Sequence, residues 1–338
     1  MLYATTRDPK ETFTAQWALT GDREPDGGFY VPFREPYFYA VHLKAFREMN
    51  FLQVEAEILN LLFGTHVTDT DLLFAAGKSP VKLQKIGRRT FAAERWRNTG
   101  WCFRGYVSHA ERLLRVEKEK ESGTWAETAV GIAVLFALVT ELQRENLLPK
   151  GETLSVAVCG EETETLLSCL YAKAWGLPIG KVVCGCRESR GLWDLIHNGM
   201  MQTDVLEPDS RQVDGLEMLM CCEGGQAEAK RFLNCVKRGK VYVPGDALLK
   251  RLRKDLAASV ISDGRILETV PGVYGTHHYV CSLDGALAYA GLLDCRATSE
   301  SGSWGLVLCD QSPSFHRKEI ARALQMEEQE VEKLLRYT

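Results

Sequence analysis

Leu154-Ser-Val-Ala-Val-Cys159 is a compact apolar run, the pattern of a strand buried on both faces. Residues 162–175 follow with a helical pattern and stop at Gly176-Leu-Pro178. Lys181-Val-Val-Cys184 repeats the strand pattern, and residues 191–198 form a short helix. Strand, helix, strand and helix in this order make a βαβ unit, so this part is α/β with a parallel sheet.

Upstream, residues 125–145 read as a long helix closed by Pro149-Lys-Gly151. Met1-Leu-Tyr-Ala-Thr-Thr-Arg7 is strand-like, and residues 10–19 suit a short helix. Asp26-Gly-Gly-Phe-Tyr-Val-Pro32 is a turn and a brief strand, its glycines able to take positive φ. Residues 39–49 and 52–63 are helical patterns, and residues 80–83 and 90–93 are strand candidates. Downstream, residues 213–222 and 227–236 form a helix pair. Asp246 is placed to cap a helix over 247–258. Residues 274–281 read as a strand, 283–293 as a helix and 304–309 as a buried strand. Helices over 315–324 and 327–336 end the chain. No internal repeat or low-complexity linker is present.

The 338 residues suffice for one large or two ordinary domains. Hydrophobic residues at 45% and charged residues at 25% describe an ordinary globular chain. A net charge of -4 gives no global basic field, so no nucleic-acid partner is expected. Neither a signal segment nor a continuous apolar run of membrane-spanning length is read, so no membrane is expected. Eleven scattered cysteines suit reduced thiols and a cytoplasmic setting. Cys184-Gly-Cys186, Cys221-Cys222 and His277-His278 lack metal-ligand spacing, and no metal is expected.

Glu94-Arg-Trp-Arg-Asn-Thr-Gly-Trp-Cys-Phe-Arg-Gly105 links a strand candidate to a helix-like run over 106–116. Lys82, Lys85, Arg88, Arg89, Arg95, Arg97 and Arg104 gather before and within it. They suit either an anionic ligand, with Trp96 and Trp101 for stacking, or a solvated face with internal ion pairs to Glu94 and other acids. Trp96, Trp101, Phe103 and Tyr106 are either filling for a cleft or the wall of a remodelled pocket.

Several of these segments resemble threonine synthase, a fold-type II pyridoxal-phosphate enzyme of the tryptophan-synthase-β-like group. Tyr3-Ala-Thr-Thr-Arg7 and Asp26-Gly-Gly-Phe-Tyr-Val-Pro32 are similar to that family's opening motifs. Tyr171-Ala-Lys-Ala-Trp-Gly-Leu-Pro178 is similar to its Ala-Lys-x-x-Gly-Leu-Pro segment. Trp304-Gly-Leu-Val-Leu-Cys-Asp-Gln-Ser-Pro313 resembles its C-terminal strand and the Thr-Ala-His-Pro after it. The resemblance implies an α/β fold with the parallel-sheet large domain of those enzymes. It divides the chain into an N-terminal region, 1–90, and an α/β domain, 91–338. The family's small cofactor-cleft domain is expected to be mostly missing, deleted between 115 and 125.

The positions that carry the family's chemistry differ. Its lysine motif, Glu-Leu-Phe-His-Gly-Pro-Thr-Leu-Ala-Phe-Lys-Asp, aligns without gaps on Glu94 to Gly105 and puts Arg104 at the Schiff-base lysine. A guanidinium stays protonated and cannot form the aldimine. The phosphate loop falls on Gly160-Glu161-Glu162-Thr163-Glu164, where three carboxylates would face a phosphate; as acids at a helix start they also suit its dipole. The family histidine falls at Leu283-Asp284-Gly285, and the residue meant for the pyridine nitrogen is Asp310. The expectation is therefore a non-catalytic threonine-synthase-like protein that binds no pyridoxal phosphate and has a binding, regulatory or structural role, with a protein partner or a homo-oligomer as candidate partners. Two alternatives stay open. One is a ligand-binding protein or enzyme with a remodelled cleft contacted by Arg97, Arg104 and Asp310. The other is a surviving pyridoxal-phosphate lyase, which would need another lysine to reach the cofactor; Lys173 matches the family's structural Ala-Lys position and is a poor candidate.

Overall fold

A computed structural model describes the chain apart from residues 9, 21–26, 77–80, 98–101, 115–123, 188–190, 209, 299–302 and 338. Trp101 and the connection at 115–123 therefore lie outside the described residues, as do Asp26 and Pro80.

The N-terminal part begins with a small antiparallel sheet of β1 (Leu2–Thr5), β2 (Phe13–Thr14) and β3 (Tyr30–Pro32) in the order β2-β1-β3. The helix expected over 10–19 starts only after β2, as α1 (Ala15–Thr20). Helices α2 (Ala40–Phe46), α3 (Phe51–Phe63) and α4 (Asp69–Ala76) follow. The expectation had no helix at α4. Asn50 caps α3 by accepting from the Gln53 N–H at 2.9 Å, and Gly64 ends it at φ 65°.

Among the described residues the main sheet has six strands in the order β4-β5-β9-β6-β7-β8. They are β4 (Lys82–Gly87), β5 (Thr90–Glu94), β6 (Leu154–Cys159), β7 (Ile179–Cys186), β8 (Leu256–Val260) and β9 (Trp304–Cys309). Only the β4–β5 pair is antiparallel; the other neighbours run parallel. Period-two alternation sends side chains to two cores. Phe91, Val156, Val158, Val182, Leu306 and Leu308 face one core, and Ala92, Ala157, Val183 and Val307 face the other.

The first core is covered by α3, α6 (Thr124–Arg144), α7 (Thr163–Ala174) and α9 (Arg211–Gly224). The second is covered by α12 (Asp263–His277), α13 (Leu283–Ala297), α14 (Arg317–Leu324) and α15 (Glu328–Tyr337). Helices on both faces of a mostly parallel sheet agree with the expected α/β class. The α5 helix (Phe103–Leu113) follows β5, while α8 (Gly191–Asn198), α10 (Gln226–Arg238) and α11 (Asp246–Asp255) complete the connections. By length and composition, Trp125–Arg144 of α6 could cross a membrane; 94% of its most apolar window is buried inside the protein, as in a core helix.

Two segments differ from expectation. The helix expected over 247–258 ends at Asp255, and Leu256–Val260 pairs with β7 as the sheet edge. Gly245, not Asp246, is its N-cap. Residues 274–281 do not form a strand; α12 runs through to His277, with Ser262 accepting from Arg265 N–H as its cap.

One close approach fixes the spacing of sheet and helix. A Cβ on Gly185 of β7 would lie 2.4 Å from the Leu287 carbonyl oxygen on α13. A Cβ on Gly291 would lie 3.1 Å from the Gly185 Cα. Glycine at both positions lets α13 lie directly on the strand.

Candidate functional site

Strands β5, β9 and β6 are neighbours and parallel, so their C-terminal ends open on the same edge of the sheet. In open α/β sheets this edge is the usual place for ligands. Arg95 follows β5, Asp310 follows β9, and Gly160 to Glu164 follow β6 into α7.

Arg95 is fully buried and grips Asp310 with both ends of its fork. Nε donates to Oδ1 and Nη2 to Oδ2, each at 2.6 Å. Thr165 on α7 donates to Asp310 Oδ2 at 2.8 Å and accepts from Arg95 Nη2 at 2.7 Å. The guanidinium also lies 3.8 Å from the Phe103 ring centroid. Such a bidentate, desolvated pair is strongly oriented. Asp284, at the start of α13, holds the backbone beneath it by accepting from the N–H groups of Asp310 at 2.8 Å and Gln311 at 3.1 Å. Burial pushes the Asp284 carboxyl above its usual range.

Arg104 reaches the cleft from α5 with its side chain 43% exposed. It meets Glu162 at 3.3 Å and Glu127 of α6 at 3.7 Å. Glu127 also pairs with Arg211 of α9, which in turn reaches Glu164 at 2.8 Å. Glu161 lies 4.0 Å from Arg187, beyond β7, and accepts from the Arg187 backbone N–H at 3.3 Å. Each carboxylate of the loop thus faces an arginine from a different element. Burial, reinforced by Asp310, pushes Glu162 up to about 7 despite Arg104. The exposed Arg104 is screened by water, so it does not offset the desolvation of the carboxyl. Burial raises Glu127 as well.

The rest of the loop is used structurally. Gly160 donates its N–H to the Gly185 carbonyl at 2.8 Å, and a Cβ on it would lie 2.7 Å from Cys186 Sγ. Glu162 donates its N–H to the Cys159 carbonyl at 3.1 Å. Thr163 is buried, and its hydroxyl occupies the space a side chain on Gly215 of α9 would need.

Arg104, Glu127, Glu162 and Asp310, with Phe103 and Phe315, border a hollow of about 220 Å³. Arg97 is not part of its lining. It pairs with Glu94 at 2.6 Å and lies 5.5 Å from the Trp96 ring. Arg104 and Asp310 therefore meet at one cleft, and Arg97 does not join them. Phe103 fills cleft volume against Arg95. Tyr106 is buried elsewhere and donates its hydroxyl to Glu55 of α3, and Trp96 belongs to the second core. Lys173 sits at the far end of α7, where it meets Asp255 at 2.7 Å and the Gly180 carbonyl.

Arg95, Glu127, Thr165 and Arg211 were not singled out from the sequence as site residues. A signal for Arg95 exists: it and Asp310 are each the first residue after an apolar strand, and Glu94 and Cys309 are in register.

Among the described residues no cluster of three or more histidine, cysteine or acidic side chains is arranged to hold a metal ion. Residues 2–79 match the family model described as the threonine synthase N terminus. Threonine synthase-like 1 from Homo sapiens is 24% identical over 175 residues, which cover 48% of this chain and 23% of that protein. The Pongo abelii protein of the same name is 24% identical over 188 residues, covering 52% of this chain and 25% of its own. The chain thus spans about a quarter of the length of the curated relatives it matches. Among solved structures, PLP-bound threonine synthase from Brucella melitensis superposes with a TM-score of 0.81 at 14% identity. That match covers 97% of this chain and 92% of the other. Threonine synthase from yeast gives 0.77 at 14% identity, covering 96% and 90%.

Proposed function

We propose that this chain, threonine-synthase-like in its fold and in its N-terminal segment, does not use pyridoxal phosphate and is a non-catalytic binding or scaffolding relative of those enzymes. The observation that carries this reading is the occupied Asp310: both of its oxygens are taken by the buried fork of Arg95. A protonated pyridine nitrogen would have to share a carboxylate whose charge that bidentate pair already neutralises.

The residues do not fit the cofactor in two further respects. No lysine borders the cleft among its described lining residues, and Arg104 stands where an aldimine would require a free amine. The loop after β6 spends the N–H groups of Gly160 and Glu162 on the protein's own carbonyls, while Glu161, Glu162 and Glu164 engage Arg187, Arg104 and Arg211, the cations a phosphate would otherwise meet. A dianionic phosphate needs free donors at such a turn. On this reading the partner is a protein or a second copy of the chain.

The test is direct. Purified protein is incubated with excess pyridoxal phosphate, scanned for the visible aldimine band, reduced with borohydride and mapped by peptide mass spectrometry. We expect no stoichiometric pyridoxyl-lysine, and none after Arg104→Lys, since that change leaves the loop carboxylates and the Arg95–Asp310 pair in place. A single lysine modified in full yield overturns the reading.

A second reading, ligand binding in the reshaped cleft, is favoured by the hollow between Phe103, Phe315 and Arg104. Its ligand would meet a cation and a carboxyl group that titrates near neutrality.

A further inference from the structure

A larger concavity, of about 630 Å³, lies at the opposite edge of the sheet, where the parallel strands begin. Its volume is in the range of small-molecule sites. Lys181 on β7, Arg253 in the last turn of α11 and Arg296 in the last turn of α13 line it. Ile196, Leu256 and Leu292 supply apolar wall.

Among the described residues, none of the three cations is paired with a carboxylate. Lys181 Nζ donates to the Arg253 carbonyl at 3.2 Å. Arg253 donates to the carbonyls of Ile196 at 2.7 Å and His197 at 3.0 Å. Arg296 donates to Thr90 Oγ1 at 2.8 Å and the Ser303 carbonyl at 2.7 Å, while its Nε is buried without a partner. The acidic side chain of the described lining, Asp294, is already held by Arg265 through contacts of 3.0 and 2.5 Å.

A purely structural account would make the cations caps for helix ends, and part of their charge does serve that purpose. Helices α8, α11 and α13 all finish here, and each C-terminus carries about half a negative charge. Three such ends offset only about half of three full positive charges, so among the described residues a surplus of roughly +1.5 remains. Burial also pulls the Arg296 guanidinium below its ordinary range, a cost that a bound anion would offset.

We propose that this concavity binds a small organic dianion, a phosphate monoester or a dicarboxylate with a short apolar body. The dianion matches the surplus charge, and the apolar body matches the Ile196, Leu256 and Leu292 wall. The site is separate from the cleft formed by Arg104 and Asp310 and does not depend on what that cleft does.

Two half-buried thiols report on the two ends of the molecule. Cys295 lines this concavity and Cys102 lines the cleft. Wild-type protein is pulsed with N-ethylmaleimide in the presence of phenyl phosphate, phthalate or uncharged benzyl alcohol, and both cysteines are followed by peptide mass spectrometry. Phenyl phosphate or phthalate should slow Cys295 about threefold at twice its dissociation constant, with Cys102 unchanged and benzyl alcohol without effect. The dianion that protects at lower concentration identifies the ligand chemistry. Lys181→Gln with Arg253→Gln should remove the protection. The proposal is overturned if neither dianion protects Cys295 at millimolar concentration, or if protection appears at Cys102 instead. Equal protection by benzyl alcohol, or protection that survives in a folded double variant, also overturns it. The contrast between the thiols is read on wild-type protein, so a variant that fails to fold leaves the test intact.

Discussion

Arg95 carries a full charge with none of its side chain in water. It persists because Asp310, Thr165 and the face of Phe103 replace most of its hydration, although Nη1 is buried without a hydrogen-bond partner. Removing one partner of such a pair costs about 3–5 kcal/mol, because the other charge is left stranded. Arg95→Met should therefore destabilise by that amount in urea unfolding, and adding Asp310→Asn should recover a large part of the loss. From sequence, Arg95 is one of seven basic residues in its neighbourhood, set apart by its place directly after an apolar strand. Its partner is 215 positions away. Arg104, in contrast, was marked by the gap-free match of its neighbours to the family's lysine motif. Its true partners, Glu127 and Glu162, depend on how α5, α6 and α7 converge, which sequence spacing does not encode.

Elements were legible where the hydrophobic period was long and undisturbed. The β6–α7–β7–α8 unit follows from its alternation of apolar runs and helical stretches, and the structure has it as a parallel crossover. Failures occurred where tertiary contacts overrode local preference. Leu256–Val260 is too short to announce itself; the open edge of β7 recruits it as a strand. Residues 274–277 carry strand-like side chains yet continue α12, which packs against α13 and closes with His278 at φ 53°. Between α3 and α5, Tyr106 donates to a wholly buried Glu55, whose carboxyl is pushed up to about 8 by burial. In the unfolded chain this group loses its proton near 4.5. The folded state therefore holds the proton more tightly. Its stabilising effect is complete below that lower value and is lost as pH rises towards 8, by up to about 1.4 kcal/mol per pH unit. Urea unfolding from pH 5 to pH 8 should show this fall, and Glu55→Gln should flatten it.

At the scale of the molecule, scattered motifs carried the fold better than any single stretch. The N-terminal match over residues 2–79 and a TM-score of 0.81 at 14% identity agree with the resemblance read from motifs at both ends of the chain. Fold outlasts sequence here because the two-sided core needs only apolar residues in the right alternation, which many sequences satisfy. Concavities are a different matter. The cleft and the basic hollow at the other edge are assembled from residues far apart in the chain; Arg104, Glu162 and Asp310 were marked through the family resemblance alone, and the basic hollow had no signature to find. The contact between Gly185 and α13 tests the layer spacing itself. Gly185→Ala puts a methyl 2.4 Å from the Leu287 carbonyl, against backbone rather than a side-chain tip. It should lower the melting temperature and cost about 1–3 kcal/mol.

That contact lies partway along α13, a 15-residue helix about 22 Å long. One end of the helix presents Asp284 to the backbone of Asp310; the other presents Arg296 to the basic hollow. The pair of glycines therefore acts as a fulcrum, and the helix resting on it is a rigid beam. Widening the gap at that point tilts or lifts the whole beam. Neither edge of the sheet can then be re-spaced alone, and a single added methyl at the midpoint displaces parts of the molecule some 20 Å apart.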